Sequence, residues 1–489
     1  MKFKLLLITF FTIFVSATYG QRRIDVYTIG DSTMADKNAE VFPETGWAQV
    51  LQRFFDDQVK IHNHAVNGRS TKSFIAEGRW QVVLDSLQKG DYVFIQFGHN
   101  DEKDKDTSRY TKPFGSYTAN LKKFVTETRM KGATPVLFTP IVRRKFDDKG
   151  MLVNTHGDYP VAVRKLAKKM KIHLIDMQKF TAGKVQDLGD VRSKELYLWT
   201  EPNRKFPKGR QDDTHLCTKG ALCYASLAVQ ELKKISPELS KHIIGPRPVV
   251  GLDNWFNREI NKKTGELYHY TWTDSANSGF SQLGGLFEKQ GAVIRTIGGK
   301  PGIPVLRNLD VYIIVDPDTT TESAHPNYIM PDDIASIESW VKDGGVLLIM
   351  ANDGPNCEFT HLNQLAGKFG FHFVPITLNP VIGQNWEMGA ETNLPDHPLF
   401  KGVGKIYMKE VAPVKLSGNA KPVLIDDGNV YIAETSYGKG RVLAVGDPWL
   451  YNEYIGNSRL PESFQNMKAA ENLVQYLLEN SPAPELFQH

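Results

Sequence analysis

Ile24-Asp-Val-Tyr-Thr-Ile-Gly-Asp-Ser-Thr-Met-Ala35 is the most informative stretch in the chain. An apolar β run stops at Gly30-Asp-Ser32-Thr, and a serine at the carboxyl end of a first strand stands at the mouth of an α/β sheet, where such folds bind ligands. Gly-Asp-Ser by itself is only a turn signal. Three further blocks follow it in order: Ala65-Val-Asn-Gly68, Phe97-Gly-His-Asn100-Asp and Asp212-Asp-Thr-His215.

Around these blocks, apolar runs alternate with amphipathic stretches. Strands are expected at Ile24–Ile29, Val59–Ala65, Tyr92–Phe97, Thr134–Thr139 and Ile172–Asp176. Between them Trp47, Val50, Leu51, Phe54 and Phe55 recur at helical spacing. So do Leu121, Phe124, Val125 and Thr128, and later Val161, Val163, Leu166, Ala167 and Met170. Continuous apolar strands separated by helices imply a mostly parallel sheet covered on both faces, an α/β fold.

Pro237, Pro246 and Pro248 then punctuate a non-periodic segment, so residues 21–240 form a first domain and 241–262 a linker. In the second domain, 263–485, strands are expected at Leu267–Trp272, Ala292–Ile297, Val311–Val315 and Val346–Met350. Helices are expected at Gly279–Lys289 and Asp332–Lys342. After about residue 405 the pattern turns antiparallel, with short strands at Pro422–Ile425, Val430–Glu434 and Gly440–Val445 and a closing helix at Glu462–Glu479.

The 489 residues are 41% hydrophobic, 11% aromatic and 23% charged, an ordinary globular composition long enough for two or three domains. The formal net charge of +4, with no basic tract and no phosphate-cradling glycine loop, makes nucleic acid a poor partner. Met1–Gly20 carries Lys2, Lys4 and an apolar run from Leu5 to Val15, the pattern of a signal cleaved near Gly20. The expected destination is outside the cell or the periplasm. With no later apolar run of roughly 18 residues or more, no membrane span is expected in the mature chain. Cys217, Cys223 and Cys357 have neither disulfide-framework nor zinc spacing and read as small core residues.

The four blocks make chemical sense together. A serine hydroxyl is a weak nucleophile until a base takes its proton, and His215 is the best candidate base for Ser32. Asp212, three residues before His215 in a turn leading into a helix, can reach the far imidazole nitrogen and fix its tautomer. Asp213 is the rival carboxylate, without the Asp-x-x-His spacing. A tetrahedral intermediate needs donors for its oxyanion, and the Ser32 N–H, the Gly68 N–H and the Asn100 amide are available. Asp31 reads as a turn-stabilising side chain, and His62 and His64 as structural. His99 and Asp101 flank Asn100, where they either touch substrate or hold the loop. Arg143 and Arg144 follow a strand end at the same sheet edge. Their guanidinium forks match carboxylates, although a solvated loop explains them equally, and Arg69 beside Gly68 has the same ambiguity.

These ordered blocks resemble the SGNH, or GDSL-type, hydrolases. Gly30-Asp-Ser-Thr-Met-Ala, Gly46-Trp, Asn67-Gly-Arg-Ser, Phe97-Gly-His-Asn-Asp, Thr139-Pro-Ile-Val-Arg-Arg, Gly157-Asp-Tyr-Pro and Asp212-Asp-Thr-His-Leu resemble the rhamnogalacturonan acetylesterases. Over residues of about 24–240 the resemblance implies a three-layer α/β/α sandwich removing O-acetyl groups from an acidic pectic polysaccharide or oligosaccharide. Ser32, Asp212 and His215 would be catalytic, and no metal or organic cofactor is implied. Acetylxylan or broader glycan acetylesterase activity is the neighbouring alternative. A glycan-binding protein on an inactive hydrolase scaffold is the alternative of a different class.

In the second half, Gly251-Leu-Asp-Asn-Trp-Phe-Asn and Tyr437-Gly-Lys-Gly-Arg-Val-Leu-Ala-Val-Gly-Asp-Pro resemble the class I glutamine-amidotransferase-like domain of unsaturated rhamnogalacturonyl hydrolases. That resemblance implies a second α/β domain. The turn where a nucleophilic cysteine would stand reads Met350-Ala-Asn-Asp-Gly, so the domain is expected to be non-catalytic. Trp255, Trp272, Trp386 and Trp449 are core aromatics or sugar-stacking platforms.

Overall fold

Strand β1 (Ile24–Gly30) sends Val26 and Thr28 to one face and Tyr27 and Ile29 to the other, and all four are buried. A strand buried on both faces must lie inside a sheet with layers above and below. In the computed structural model, which describes residues 22–202, 206–261, 263–456 and 459–482, that is its position. The expected export signal, Met1–Gly20, lies outside the described residues.

The first sheet contains β1, β2 (Val59–Asn63), β3 (Tyr92–Gln96), β4 (Thr134–Phe138) and β5 (His173–Ile175), all parallel, in the order β2-β1-β3-β4-β5. One face packs Phe74, Trp80 and Phe124 against Ile29, Val93 and Ile95. These aromatics come from α1 (Thr71–Ala76), α2 (Arg79–Ser86) and α3 (Thr118–Met130), with α4 (Tyr159–Met170) beside them. The other face packs Trp47, Leu51, Phe54, Leu222 and Val229 against Val26, Phe94 and Phe138. It is covered by α5 (Met177–Arg192), α6 (Thr218–Ile235) and the segment Trp47–Phe54. That segment is a 3₁₀ helix. Its apolar spacing of three and four residues fits both helix types, and Trp47, Val50, Leu51 and Phe54 still point inward. A short antiparallel pair, β6 (Tyr197–Thr200) and β7 (Arg210–Leu216), leads into α6, and α7 (Pro237–Ser240) ends the domain.

The second domain begins earlier than its sequence indicates. β8 (Val249–Asp253), inside the expected linker, is fully buried and pairs in parallel with β9 (Val293–Ile297) and β10 (Val311–Val315). The neighbouring prolines mask a continuous apolar run that suits the centre of a sheet. Leu267–Trp272, expected as a strand, forms turns instead. His269 and Tyr270 take positive φ, and Tyr270 and Trp272 pack with Phe280 and Phe287. Its aromatic content resembles a strand because both environments bury rings.

β11 (Val346–Met350) extends the sheet, and β12 (Phe371–Phe373), β13 (Ala390–Glu391), β14 (Ile406–Tyr407) and β15 (Val414–Leu416) make two minor ladders. β16 (Lys421–Asp426), β17 (Asn429–Tyr437) and β18 (Gly440–Val445) complete a mixed seven-stranded sheet in the order β16-β17-β18-β11-β10-β8-β9. As expected, the end of the chain turns antiparallel, with β17 running against both β16 and β18. Its helices are α8 (Ser281–Lys289), α9 (Ile303–Leu306), α10 (Pro331–Lys342), α11 (Phe359–Ala366) and α12 (Asn466–Glu479). The three cysteines are free and buried.

Candidate active site

In an open α/β sheet, ligands bind outside the carboxyl ends of the strands, where the strand order reverses. Here that point lies between β1 and β3, which pair directly. The turn after β1 is built tightly. Asp31 Oδ1 accepts from the Thr33 N–H at 3.0 Å and the Thr33 hydroxyl at 2.8 Å, and its carbonyl accepts from the Met34 and Ala35 N–H groups. Gln96 Nε2 donates to Thr33 Oγ1 at 2.8 Å, tying the turn to the end of β3. At Gly30 a Cβ would fall 2.6 Å from the Gln96 carbonyl oxygen, so this close crossing requires glycine. Asp31 is the turn-holder that its position implied, and Ser32 is left half-buried at the apex.

His215 reaches Ser32 from β7. Regular strand alternation would send residues 212 and 215 to opposite faces. The ladder avoids this by slipping: Tyr197 faces Leu216 while the next residue, Leu198, faces Asp212. Asp212 and His215 are therefore brought together by a bulged strand, not by the turn into a helix expected from the sequence. Ser32 Oγ lies 3.0 Å from His215 Nε2, and His215 Nδ1 lies 2.9 Å from Asp212 Oδ2. Asp212 Oδ1 accepts the N–H groups of Thr214 (2.9 Å) and His215 (3.0 Å), and Arg210 Nη2 donates to Oδ2 at 2.7 Å. Burial alone would raise the Asp212 carboxyl. The hydrogen bond and charge of His215, with the two backbone donors, outweigh burial and hold it well below the usual carboxylate range. Asp213 points elsewhere, accepting from Arg144 Nε at 2.8 Å and Trp199 Nε1 at 2.9 Å.

The loops after β2 and β3 are stitched to the same edge. The Val66 N–H donates to the Gly30 carbonyl at 3.0 Å, bringing the Gly68 loop beside the Ser32 turn. Gly68 has φ +77°, a conformation that favours glycine. Asn100 Nδ2 donates to the Arg69 carbonyl at 3.1 Å, and Arg109 Nη1 stands 3.5 Å from both Asn100 Oδ1 and the Gly68 carbonyl. Asp101 is buried and holds the loop, accepting from the Thr71 N–H at 3.1 Å, the Thr71 hydroxyl at 2.5 Å and the Thr111 hydroxyl at 2.7 Å. Burial raises its carboxyl to about 7 against those bonds.

The basic side chains divide. Arg144 is 5% exposed, ion-paired to Asp190 and Asp213, and stacked 5.0 Å over Trp199. Its Nε and Nη1 are bonded within the domain, while the side chain also borders the cleft that Arg143 lines. Arg143 is more open. It pairs with Glu102 and lies 3.5 Å from the His99 carbonyl, on a cleft of about 680 Å³ also lined by Phe146, Thr155, Asp190 and Asp213. Arg69 pairs with Glu77 at 3.0 Å. His99 is 3% exposed, and neither ring nitrogen has a hydrogen-bond partner among the described residues. Burial and the neighbouring cationic and imidazole groups push it well below the usual histidine range, so it is neutral. Its ring meets His156 edge-on at 4.6 Å, and His156 Nδ1 pairs with Glu102 Oε2 at 2.9 Å.

Arg109, Arg210 and the Glu102–His156 pair escaped the sequence reading. Arg210, two residues before Asp212, was recoverable from spacing had the strand been recognised. Arg109 sits in a polar loop without a motif.

Residues 28–221 match the GDSL-like Lipase/Acylhydrolase family, and residues 273–459 match a domain of unknown function, DUF4350. Rhamnogalacturonan acetylesterase RhgT of Bacillus subtilis (strain 168) is 38% identical over 226 residues, 46% of this chain and 96% of that protein. The probable rhamnogalacturonan acetylesterase YesY of the same organism is 32% identical over 222 residues, 45% of this chain and 98% of that protein. The crystal structure of protein YxiM from Bacillus subtilis superposes with a TM-score of 0.39 at 26% identity, covering 44% of this chain and 58% of that one. For the second half, the match is DUF4350 and the architecture a mixed sheet, which leaves the amidotransferase resemblance unsupported. The family match and the two acetylesterase relatives fall on the half that carries the Ser32–His215–Asp212 relay: the chain belongs to the GDSL-like lipase/acylhydrolase family and is a carboxylic ester hydrolase.

Proposed function

We propose that this protein removes O-acetyl groups from rhamnogalacturonan through an acyl-enzyme on Ser32. The observation that carries the reading is the unbroken relay from Ser32 Oγ through His215 to Asp212. Ser32 Oγ attacks the acetyl carbonyl carbon as its proton passes to His215 Nε2, and Asp212 stabilises the imidazolium. The N–H groups of Ser32 and Gly68 and the Asn100 amide receive the oxyanion. Collapse breaks the ester C–O bond, and the departing sugar oxygen takes the proton from His215. Water, deprotonated by His215, then attacks the acetyl-serine and releases acetate and free Ser32.

The pectic substrate is supported by the names of the two Bacillus relatives and by the basic rim. Arg143 and Arg69 would meet uronate carboxylates, and neutral His99 would offer one ring N–H to the bound ester. Arg144, tied to Asp190 and Asp213, positions that wall. Export by the Met1–Gly20 segment fits a polymeric substrate. The second domain, on this reading, is a non-catalytic relative of the class I glutamine-amidotransferase-like domains. In support, its central strands are parallel, the turn directly after β11 reads Ala351-Asn-Asp-Gly with no cysteine in it, and burial pushes the more distant Cys357 thiol up.

Acetate release from acetylated rhamnogalacturonan and acetylated xylan tests the substrate. Arg143→Met should raise KM for the pectic polymer about ten-fold, as one charge-assisted contact is lost, and leave a small neutral acetyl ester unaffected. Equal turnover of both polymers, indifferent to that substitution, would contradict the pectic reading and leave a broader glycan acetylesterase.

A further inference from the structure

Lys37 is a lysine almost without solvent. Its side chain is 1% exposed, and its ammonium contacts Glu44 Oε1 at 2.8 Å and Asn67 Oδ1 at 2.6 Å. A buried ammonium is stable only when paired, so these partners fix the loop of residues 36–46 that carries it. The loop touches each arm of the active site. Lys37 holds Asn67, the neighbour of Gly68. The Thr45 N–H donates to the carbonyl of Leu216, next to His215, at 2.9 Å, and the N–H of Trp47, the residue directly after the loop, donates to the carbonyl of Thr33, next to Ser32, at 3.0 Å.

On its other side the same loop is gripped by the second domain. Arg307, just past α9, donates from Nη1 to the Lys37 carbonyl at 2.6 Å. Its Nη2 donates to the Glu44 carbonyl at 3.2 Å and lies 3.5 Å from Thr45 Oγ1. Phe42, at the loop's crest, is buried in the same apolar cluster as Leu306 and Leu309 of the second domain. A planar guanidinium spanning two carbonyls fixes their separation, which a point-charge ammonium cannot do.

We infer that Arg307 is a positioning residue for the esterase, and that the second domain serves catalysis by clamping the 36–46 loop against Ser32, Gly68 and His215. The second domain is then part of the catalytic apparatus, although it contributes no reacting group. This rests on the esterase reading above. Displacing a catalytic group by about 1 Å costs on the order of 100-fold in rate, so a loosened loop should reduce kcat and leave KM nearly unchanged.

The test uses the full chain with p-nitrophenyl acetate as substrate. Arg307→Ala is expected to lower kcat by about ten- to 100-fold with KM within about two-fold, and added methylguanidinium should restore part of the loss. Arg307→Lys, which keeps charge and bulk, should lose about five-fold, and it carries the comparison if the alanine variant does not fold. Arg53→Ala is the control. It breaks the ion pair with Asp310 across the same two domains without touching the loop, so it should lower Tm and preserve kcat. Wild-type kcat in both Arg307 variants, or an equal loss in Arg53→Ala, would overturn the inference. Wild-type protein inert toward every acetyl ester would instead overturn the esterase reading beneath it.

Discussion

Two neighbouring carboxylates, Asp212 and Asp213, show how much a single position decides. Asp212 receives His215 Nδ1, two backbone N–H groups and Arg210, whereas Asp213 receives Arg144 and Trp199. Asp212→Asn should cost about 1,000- to 10,000-fold in kcat, since an amide facing Nδ1 favours the wrong tautomer. Asp213→Asn should cost less than about ten-fold, because Arg144 keeps Asp190 and the relay is intact. Steady-state kinetics on a small acetyl ester separates the two, and a larger loss at Asp213 would exchange their roles. Ser32, Asp212, His215, Gly68 and Asn100 were legible as candidates because each stands in a short block, and hydrogen bonds join three of them, Ser32, His215 and Asp212. The ion-paired setting of Arg144 was not legible, since its partners lie 46 and 69 residues away in the chain.

At the scale of elements, β1, β3 and β4 were readable because burial on both faces makes them nearly continuous apolar runs, whereas the edge strands β2 and β5 are only partly buried. The β7 bulge was invisible, since nothing in Asp-Asp-Thr-His marks a slipped register, and only the pairing with β6 shows how the triad closes. β8 was hidden by the prolines beside it. The helices on one face converge on Phe124, whose ring meets Phe74, Trp80 and Phe97 at 6.4, 5.0 and 5.8 Å. Phe124→Ala should therefore destabilise the first domain by about 3–5 kcal/mol, from lost burial plus the cavity left behind. Denaturant unfolding measures it, and a change below about 1 kcal/mol would mean that α3 does not anchor this layer.

For the whole molecule, stability should depend on pH through buried carboxyls of the second domain. Burial and nearby carboxylates push Asp316 well above the usual range, and burial raises Asp447 to about 8. A carboxyl raised in the folded state favours folding fully below its unfolded value, and that contribution is lost as pH climbs through the folded one. Tm should accordingly fall between about pH 5 and 9. Asp316→Asn keeps an oxygen for Asn352 Nδ2 and removes one titrating group, so it should flatten that fall and raise Tm at the alkaline end. An unchanged slope would show that Asp316 does not titrate in the folded chain. Asp212 acts oppositely: its depressed carboxyl favours folding above its unfolded value, a contribution lost as pH drops through the folded one.

On the proposed mechanism, Ser32 becomes acetylated during turnover. Intact-mass measurement of the full chain, quenched with acid milliseconds after mixing with p-nitrophenyl acetate, tests it most directly. The wild-type protein should gain one acetyl group, mapped by peptide analysis to Ser32. Ser32→Ala should gain none, with acetate release from acetylated rhamnogalacturonan abolished in parallel. Acetate release surviving in Ser32→Ala, or an acetyl group mapped to another residue, would contradict it.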